Sequence, residues 1–210
     1  MKKLNLTIIL IVIISITACK NNNEKIEIYL LKERKLCTEG TPFLKLKMVD
    51  TLSQEIKESL KYSSYDEKDS TYIFSGKFIA EKKDLNQKPL IGDQDILSLN
   101  LKTNEIKLSE SGISKIRNIK PNFKYSTQFV ICINREPQLV GYFMNVFSSF
   151  PPTWNYIVYS NQKQTNDKKI EERYYIEQND KFKKFKPYLT NLKLYPKLIN
   201  SFENSDRLIK

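Results

Sequence analysis

The sequence predicts an α+β fold in which helices pack on one face of an antiparallel or mixed sheet. Three observations lead to this prediction. Several short segments alternate apolar and polar residues, which is typical of strands with one buried face. Two segments have helix-capping signals ahead of apolar residues at helical spacing. The elements follow in the order strand, strand, helix, hairpin and strand, and no internal repeat divides the 210 residues.

The first part of the chain is predicted to contain two strands, a helix and a β-rich segment. Apolar and polar residues alternate over 24–31 and over 43–49, so both segments are predicted strands. A helix is predicted over about 52–61, where apolar residues recur at every fourth position after a capping-box spacing. Residues 70–80 are β-rich, and Gly76 among them marks a candidate bulge.

A compact unit with the strongest β signal follows. A short hairpin is predicted over 95–108, and Ser109 then caps a helix that Pro121 ends. A second hairpin joins 127–133 to 138–147. Because both of its faces are apolar, we expect this hairpin at the centre of the sheet.

The last part of the chain is predicted to contain a strand, a linker and short helices. The strand spans 154–160, a polar linker spans 161–169, and 170–178 fits a strand or a helix. Residues 187–209 are predicted to be helical in pieces that are broken at the two prolines of the segment.

The N-terminus has the parts of a secretory signal peptide. Lys2 and Lys3 supply a positive charge, and residues 6–16 form an apolar run. The run is too short for a membrane-spanning helix, which needs about 20 apolar residues. The segment after it, Ile16-Thr17-Ala18-Cys19, resembles the lipobox of bacterial lipoproteins, in which an aliphatic residue and two small residues precede a cysteine.

This resemblance implies a role for Cys19. In that family a diacylglycerol is attached to the thiol, the chain is cut before the cysteine, and the new α-amine is acylated. Several acyl chains form a stable membrane anchor, at about 0.8 kcal/mol per buried methylene. The alternatives are an uncleaved anchor and an ordinary signal peptide cut near Ala18. The implied location is the cell envelope, and Lys20 favours the outer membrane in a cell that has one, because Asp at this position commonly retains lipoproteins at the inner membrane.

Four regions are therefore expected along the chain. A signal peptide spans 1–18 and a short solvated tether spans 19–25. The α+β domain spans 26–160, and a basic C-terminal extension that packs on the domain spans 161–210.

The predicted mature chain is basic, and the charge is uneven. Without Lys2 and Lys3 it has 33 basic and 24 acidic residues, a net charge of +9, and residues 181–210 hold eight of the basic residues and two of the acidic ones. Nucleic acid is not the expected partner, because an exported protein rarely meets it. In addition, lysine outnumbers arginine by 30 to 5 in the full sequence, whereas base-edge readout favours arginine. The basic end either contacts anionic lipid or docks on the sheet with its lysines in solvent.

Two cysteines remain after Cys19. Export would permit a disulfide between Cys37 and Cys132, and the apolar strand around Cys132 fits a buried free thiol equally well. The two residues are too few and too far apart for a zinc site, and the chain has no histidine, so no metal or cofactor is expected.

The residue types of several enzyme classes are missing. Without histidine there is no Ser–His or Cys–His pair, and the five glycines do not have a phosphate-loop spacing. Paired carboxylates occur at Asp93 and Asp95 and at Glu171 and Glu172. A carboxylate-based hydrolase is therefore the least favoured reading, and we do not expect an enzyme.

Phe150 and Trp154 are the candidate partner surface. They flank two prolines between two predicted core strands, and exposed aromatic residues on rigid loops often anchor a partner. The alternative is that both residues fold back and close the sheet edge. The sequence thus favours a lipid-anchored envelope protein that binds or scaffolds a protein or glycan without catalysis. The alternative is an accessory or immunity-type inhibitor of an envelope enzyme or toxin.

A second resemblance concerns the fold. Residues 106–116 (I-K-L-S-E-S-G-I-S-K-I), followed by 129–134 (F-V-I-C-I-N), are similar to the extracytoplasmic domain of SecD-type export proteins. The resemblance implies a strand–helix–strand arrangement in an α+β domain and implies no function.

Overall fold

The computed structural model describes residues 24–161, 177–179 and 187–210. The described residues form twelve strands, numbered along the chain: β1 (Ile26–Leu30), β2 (Thr41–Pro42), β3 (Ser64–Asp66), β4 (Thr71–Ile73), β5 (Ile96–Asn100), β6 (Ile106–Leu108), β7 (Thr127–Ile133), β8 (Glu136–Asn145), β9 (Tyr156–Tyr159), β10 (Glu177–Asn179), β11 (Pro187–Leu189) and β12 (Leu208–Ile209). The three α-helices of the same residues are α1 (Gln54–Leu60), α2 (Glu110–Arg117) and α3 (Pro196–Asn204).

The strands form three sheets. The largest has six strands in the order β1-β7-β8-β9-β10-β11, and the two smaller sheets have the orders β12-β5-β6 and β2-β3-β4. Within the large sheet β8 and β9 are parallel and the other neighbours are antiparallel. The predicted α+β class with a mixed sheet is therefore confirmed.

The β7–β8 hairpin lies inside the large sheet because both of its faces are covered. On one face Phe129 and Ile131 belong to the main core, together with residues of β5, β6, α2 and α3. On the other face Val130 and Cys132 pack against Leu85. This confirms the central position that the apolar residues on both faces predict.

The turn of this hairpin has two residues and is hydrogen-bonded to the segment that precedes β1. Asn134 and Arg135 both have positive φ, 50° and 66°, as a two-residue turn of the mirror-image type requires. Lys25 is already bonded to this turn, since its amide donates to Asn134 Oδ1 at 3.0 Å and its carbonyl accepts from the Asn134 amide at 2.9 Å. The ordered domain therefore starts at or before Lys25, at the turn end of the hairpin.

The helix after β6 begins as the sequence predicts. The Ser109 hydroxyl accepts from the Gly112 amide at 3.1 Å and caps α2. Ser109 also donates to Asp95 at 2.7 Å, and Lys115 of the same helix donates to Asp95 at 2.6 Å. The buried Asp95 carboxylate thus joins the first turn of α2 to the start of β5.

Residues 43–49 are not the predicted strand. They form two 3-10 helices, over Phe43–Lys45 and Lys47–Thr51. The buried residue of the first is Phe43 and that of the second is Val49, and Leu46 between the two helices is extended. In the predicted strand, Leu44 and Met48 would lie on the buried face, opposite the two lysines of the segment. In the structure each of them is 52% exposed.

Three further elements differ from the sequence-based expectation. Helix α1 is present, but none of its residues is buried, and its N-cap is Ser53. Only Thr71–Ile73 of the β-rich segment forms a strand, and Gly76 lies beyond it, where a Cβ atom would be 2.7 Å from Ile73 Cγ2. Residues 187–189 form β11 and not a helix, because they pair with β10.

The described part of the C-terminal region belongs to the main core. Leu198 and Phe202 of α3 are each 1% exposed and pack in the same cluster as Ile116 of α2. Pro196 is the first residue of α3, where its missing amide hydrogen costs nothing. The final strand, β12, then pairs in parallel with β5.

Some predictions fall outside the described residues. These are the signal peptide, Cys19 and most of the tether, the linker after residue 161, most of 170–178, and the lysines of 181–186. Within the described ranges, no helix has the length and apolar character needed to cross a membrane.

Candidate binding surface

Six rings of a connected aromatic set, which also includes the fully buried Phe43 beside Tyr72, are called the aromatic row here: Tyr62, Tyr65, Tyr72, Phe74, Tyr125 and Phe150. Successive ring centroids are 5.2 Å apart for Tyr65 and Tyr72, 6.4 Å for Tyr72 and Phe74, and 4.2 Å for Phe74 and Phe150. From Phe74 the row also runs to Tyr125, at 5.9 Å, and on to Tyr62, at 5.8 Å. These separations are those of interacting rings.

Two of the rings are held in place by local structure. Tyr72 in β4 and Phe74 just after it are two positions apart, so an extended chain directs both side chains to one face. The loop after β8 then folds onto this face, since the Thr153 amide donates to Ser75 O at 3.0 Å. Phe150 of that loop is 40% exposed and Tyr72 is 39% exposed, so the row is in part accessible to solvent.

Arg34 lies among the rings at one end of the row. Its guanidinium carbon is 4.8 Å from the Tyr125 centroid, 5.6 Å from that of Tyr142 and 5.9 Å from that of Tyr62. Nη1 donates to Ser126 O at 2.7 Å, and Nη2 donates to Tyr125 O at 2.6 Å and to Phe74 O at 3.2 Å. Burial lowers the pKa of Arg34, while the neighbouring tyrosines act in the opposite direction.

No carboxylate of the described chain pairs with Arg34. Its hydrogen bonds go to three backbone carbonyls, and its buried Nε has no hydrogen-bond partner among the described residues. Arg207, by contrast, has its charge balanced by Asp93 at 2.8 Å. The half-buried guanidinium of Arg34 is therefore hydrogen-bonded, but its charge is not neutralised by a carboxylate of the described chain.

A cleft of about 400 Å³ opens beside Arg34. This volume is within the range of sites that hold small ligands or single side chains, about 300–1,000 Å³. Its walls are Leu30, Leu31, Arg34, Glu58, Tyr62, Asn86, Asn122, Tyr125, Thr127 and Gln128. Gln128 is committed to the fold, because its amide group bonds the backbone of Lys35 through both of its polar atoms, at 2.8 and 3.0 Å.

Lysines surround the cleft and the row. Lys124 Nζ is 5.7 Å from the Phe74 centroid and 5.9 Å from that of Tyr125, and it donates to Ser59 Oγ at 2.5 Å. Lys61 Nζ is 5.2 Å from the Tyr62 centroid and pairs with Glu58 at 2.7 Å. The Glu58 charge is thus balanced by Lys61, and Arg34 is the charged wall residue left without a carboxylate partner in the described chain. Lys124 lies next to the wall, beside the Tyr125 ring.

All of these groups lie at one end of the large sheet. Leu30 pairs with Phe129 and Thr127 pairs with Phe143, so the chain leaves β1, enters β7 and leaves β8 at the same end. Arg34, Tyr125 and Phe150 are in the three segments that meet there. The opposite end holds the pair of Ile26 with Ile133 and the hairpin turn bonded to Lys25.

Exposed phenylalanines extend the surface at this end. Phe123 is 49% exposed and Phe147 is 59% exposed. Phe123 is joined to the loop after β8, because its carbonyl accepts from the Ser149 amide at 3.0 Å. No acidic residue occurs in 118–128, which contains Lys120 and Lys124, and 144–161 has no charged residue of either sign.

The two residues predicted as a partner surface are separated. Phe150 belongs to the aromatic row, as described above. Trp154 is half-buried and packs beside Phe78, Tyr142 and Tyr156 on the sheet. Its Nε1 is buried without a hydrogen-bond partner in the described chain, and Lys77 Nζ lies 5.1 Å from its ring. Trp154 thus packs on the sheet while Phe150 is 40% exposed, and a partner surface at these two residues stays a prediction.

The two cysteines have different surroundings. Cys132 is fully buried in β7, and Cys37 is half-buried with its thiol 3.1 Å from Ser64 Oγ. Both are free thiols here. The disulfide between them stays a prediction.

The described carboxylate pair has structural partners. Asp93 pairs with Arg207 and also accepts from the Ile26 amide at 2.8 Å, while Asp95 is held by Ser109 and Lys115. Glu171 and Glu172 lie outside the described residues. Among the residues that the structure describes, no group of three acidic or cysteine side chains could hold a metal ion.

Sequence reasoning missed most of this surface. It selected Phe150 and passed over Arg34, Tyr62, Tyr72 and Tyr125. A signal was present, since Tyr72 and Phe74 have the two-residue spacing of one strand face. Arg34 gave no signal, because the rings around it come from three distant segments.

Comparisons with protein-family models, with curated protein sequences and with solved structures give no match. The lipoprotein and SecD-type resemblances therefore stay predictions.

Proposed function

We propose that this chain is a lipid-anchored protein of the bacterial cell envelope and that its α+β domain binds a partner protein, without catalysis, through the aromatic row. The aromatic row at one end of the sheet, with Arg34 and Lys124 beside it and no carboxylate paired with either in the described chain, is the observation that supports the binding role. Aromatic side chains are enriched in protein interfaces and dominate their binding energy. The proposed outer-membrane location, the lipid on Cys19 and the absence of bound nucleic acid are parts of the same proposal.

The position of the row relative to the proposed anchor favours a partner over the membrane surface. Five residues, 20–24, would separate Cys19 from Lys25, and fully extended they span at most about 18 Å. The chain enters the sheet at the Lys25 end, whereas the row lies beyond the far end of β1. Five residues of strand add about 17 Å between the two ends.

The anchor is tested by metabolic labelling with a fatty-acid analogue. We expect label on the wild-type protein and none on Cys19→Ser, because a hydroxyl is a poor nucleophile for the thioether-forming step. Lys20→Ser is the matched control and should keep the label. Label that persists on Cys19→Ser would exclude the lipoprotein assignment.

The binding surface is tested by site-specific photo-cross-linking in intact cells. A photoreactive phenylalanine analogue is placed at Phe150 in one variant and at Leu97 in the other. Leu97 is a fair control because it is 44% exposed and lies in β5, away from the row. We expect a discrete protein adduct from position 150 and none from position 97.

The captured protein is then purified and its affinity measured. Phe150→Ser should weaken binding about tenfold or more, as the loss of an interface anchor does, while Leu97→Ser should change it little. Equal adducts from both positions, or an adduct with glycan or lipid alone, would contradict a protein partner. An adduct with an envelope enzyme or toxin would select the accessory or immunity-type role.

A further inference from the structure

We infer that the cleft beside Arg34 binds a carboxylate group, presented by an acidic side chain or by the C-terminus of the partner. This inference specifies the chemistry of the partner and in that respect rests on the proposed function. It concerns the cleft, whose walls include residues that do not belong to the aromatic row.

The charge of the cleft is the first argument. Arg34 contacts three tyrosine rings and three carbonyl groups, which stabilise a cation, but no described carboxylate neutralises it. Arg207, Lys115 and Lys35, by contrast, each pair with a carboxylate, from Asp93, Asp95 and Asp84 respectively. Arg34 has no carboxylate partner in the described chain, and it lines the cleft of about 400 Å³.

The remaining charged groups at the cleft do not cancel this excess. Glu58 is the acidic wall residue, and Lys61 pairs with it at 2.7 Å. Lys124 at the rim bonds the Ser59 hydroxyl and has no carboxylate partner in the described chain. The field in the cleft is therefore positive, and it favours an anion over a neutral group or a cation.

The walls provide hydrogen-bond partners and an apolar surface. The Tyr62 and Thr127 hydroxyl groups and the Asn86 side-chain amide make no hydrogen bond within the described residues, so they are available to a ligand. Leu30 and Leu31 form an apolar wall beside them. A carboxylate on a short apolar stem matches this combination better than a fully hydrated inorganic anion does.

Benzoate is a suitable probe, with benzamide as its neutral isostere. Each is titrated into the ¹⁵N-labelled protein while amide chemical shifts are recorded. We expect saturable shifts at millimolar benzoate, confined to the cleft residues, and a response to benzamide that is about tenfold weaker, because one favourable charge interaction in a partly buried site has this effect. Equal responses to the two probes, or shifts spread over the whole surface, would overturn the inference.

Two substitutions test the charge directly. Lys124→Gln removes a rim cation and should weaken benzoate binding severalfold while leaving the benzamide response unchanged. Lys107→Gln is the matched control, since Lys107 is an exposed lysine of β6 in another sheet, and it should have no effect. Equal effects of the two substitutions would mean that only net charge matters and that the cleft is not a site.

The result is independent of partner capture. If benzoate binds the cleft but no protein is captured at position 150, the carboxylate site stands and the protein partner fails. If a partner is captured and its affinity is insensitive to Lys124→Gln and to added benzoate, the partner stands and the carboxylate site fails.

Discussion

Cys37 and Cys132 differ in chemistry although both are free thiols. Burial raises the pKa of the Cys132 thiol to about 12, and its side chain is fully enclosed in the sheet. Cys37 is half-buried, and its thiol lies 3.1 Å from Ser64 Oγ and 3.3 Å from Glu39 O. Because the thiolate is the reactive form, the two residues should respond very differently to alkylation.

We expect iodoacetamide at pH 8 to modify Cys37 and to leave Cys132 intact in the folded protein. A pKa of about 12 keeps Cys132 almost entirely in the unreactive thiol form at this pH, and the side chain is inaccessible. Peptide mass spectrometry measures the modification of each cysteine, with and without guanidinium chloride. A disulfide between the two would leave both unmodified until a reductant is added, and rapid native modification of Cys132 would contradict its burial.

Single helices and strands are predicted correctly where the local sequence pattern fits one type of element. The N-cap at Ser109, the helix after it and the β7–β8 hairpin are all predicted from short stretches of sequence and found in the structure. The strand prediction for residues 43–49 is wrong because the apolar residues of this segment fit a period of two and a period of three equally well. Pairing with a distant strand would be needed to choose the period of two, and no strand of the described residues pairs with this segment.

We expect Ser109→Ala to lower the free energy of unfolding by about 1–2 kcal/mol, since it removes the cap of α2 and a hydrogen bond to Asp95. Ser53→Ala is the matched control. It should cost about 0.5 kcal/mol or less, because its capping bond is long, at 3.4 Å, and α1 has no buried residue. Urea denaturation measures both, and a larger loss for Ser53→Ala would contradict the role given to the Ser109 cap.

The cost of Ser109→Ala should depend on pH. Lys115, followed by Ser109, lowers the pKa of Asp95 from its ordinary value of 3.8. A lowered pKa means that this carboxylate stabilises the fold above about pH 4 and that the stabilisation is lost as the pH falls through the lowered value. In the same urea experiment, the difference in the free energy of unfolding between wild type and Ser109→Ala should therefore become smaller below pH 4.

At the scale of the whole molecule, the sequence predicts the composition of the fold and not its connections. The β content, the central hairpin and the packing helices are local or depend on apolar patterns. The parallel pairing of β8 with β9 and of β12 with β5 depends on tertiary contacts that no single segment records. The aromatic row has the same origin, because Tyr62, Phe74, Tyr125 and Phe150 approach one another only after the sheets have formed.

The C-terminal helix should be essential to the domain. Phe202→Ala removes a ring that is 1% exposed in the main core, and we expect it to lower the free energy of unfolding by about 3–5 kcal/mol. Leu194→Ala in the same segment is the control, since Leu194 is 70% exposed, and it should change stability by about 0.5 kcal/mol at most. Thermal and urea denaturation measure the two. Equally small losses of stability in the two variants would mean that the C-terminal helix contributes little to the stability of the domain.

The pairing of β1 has a consequence for the order in which the domain assembles. Ile26 pairs with Ile133, 107 positions later, whereas β7 and β8 are joined by only two residues. Contacts between such distant positions carry the entropy cost of closing a long loop, and folds rich in them form slowly. During synthesis β1 emerges first and has no strand partner in the large sheet until Thr127 and the residues after it have followed. Strand β1 is thus added to a sheet edge, formed by β7, that is synthesised only after more than half of the chain.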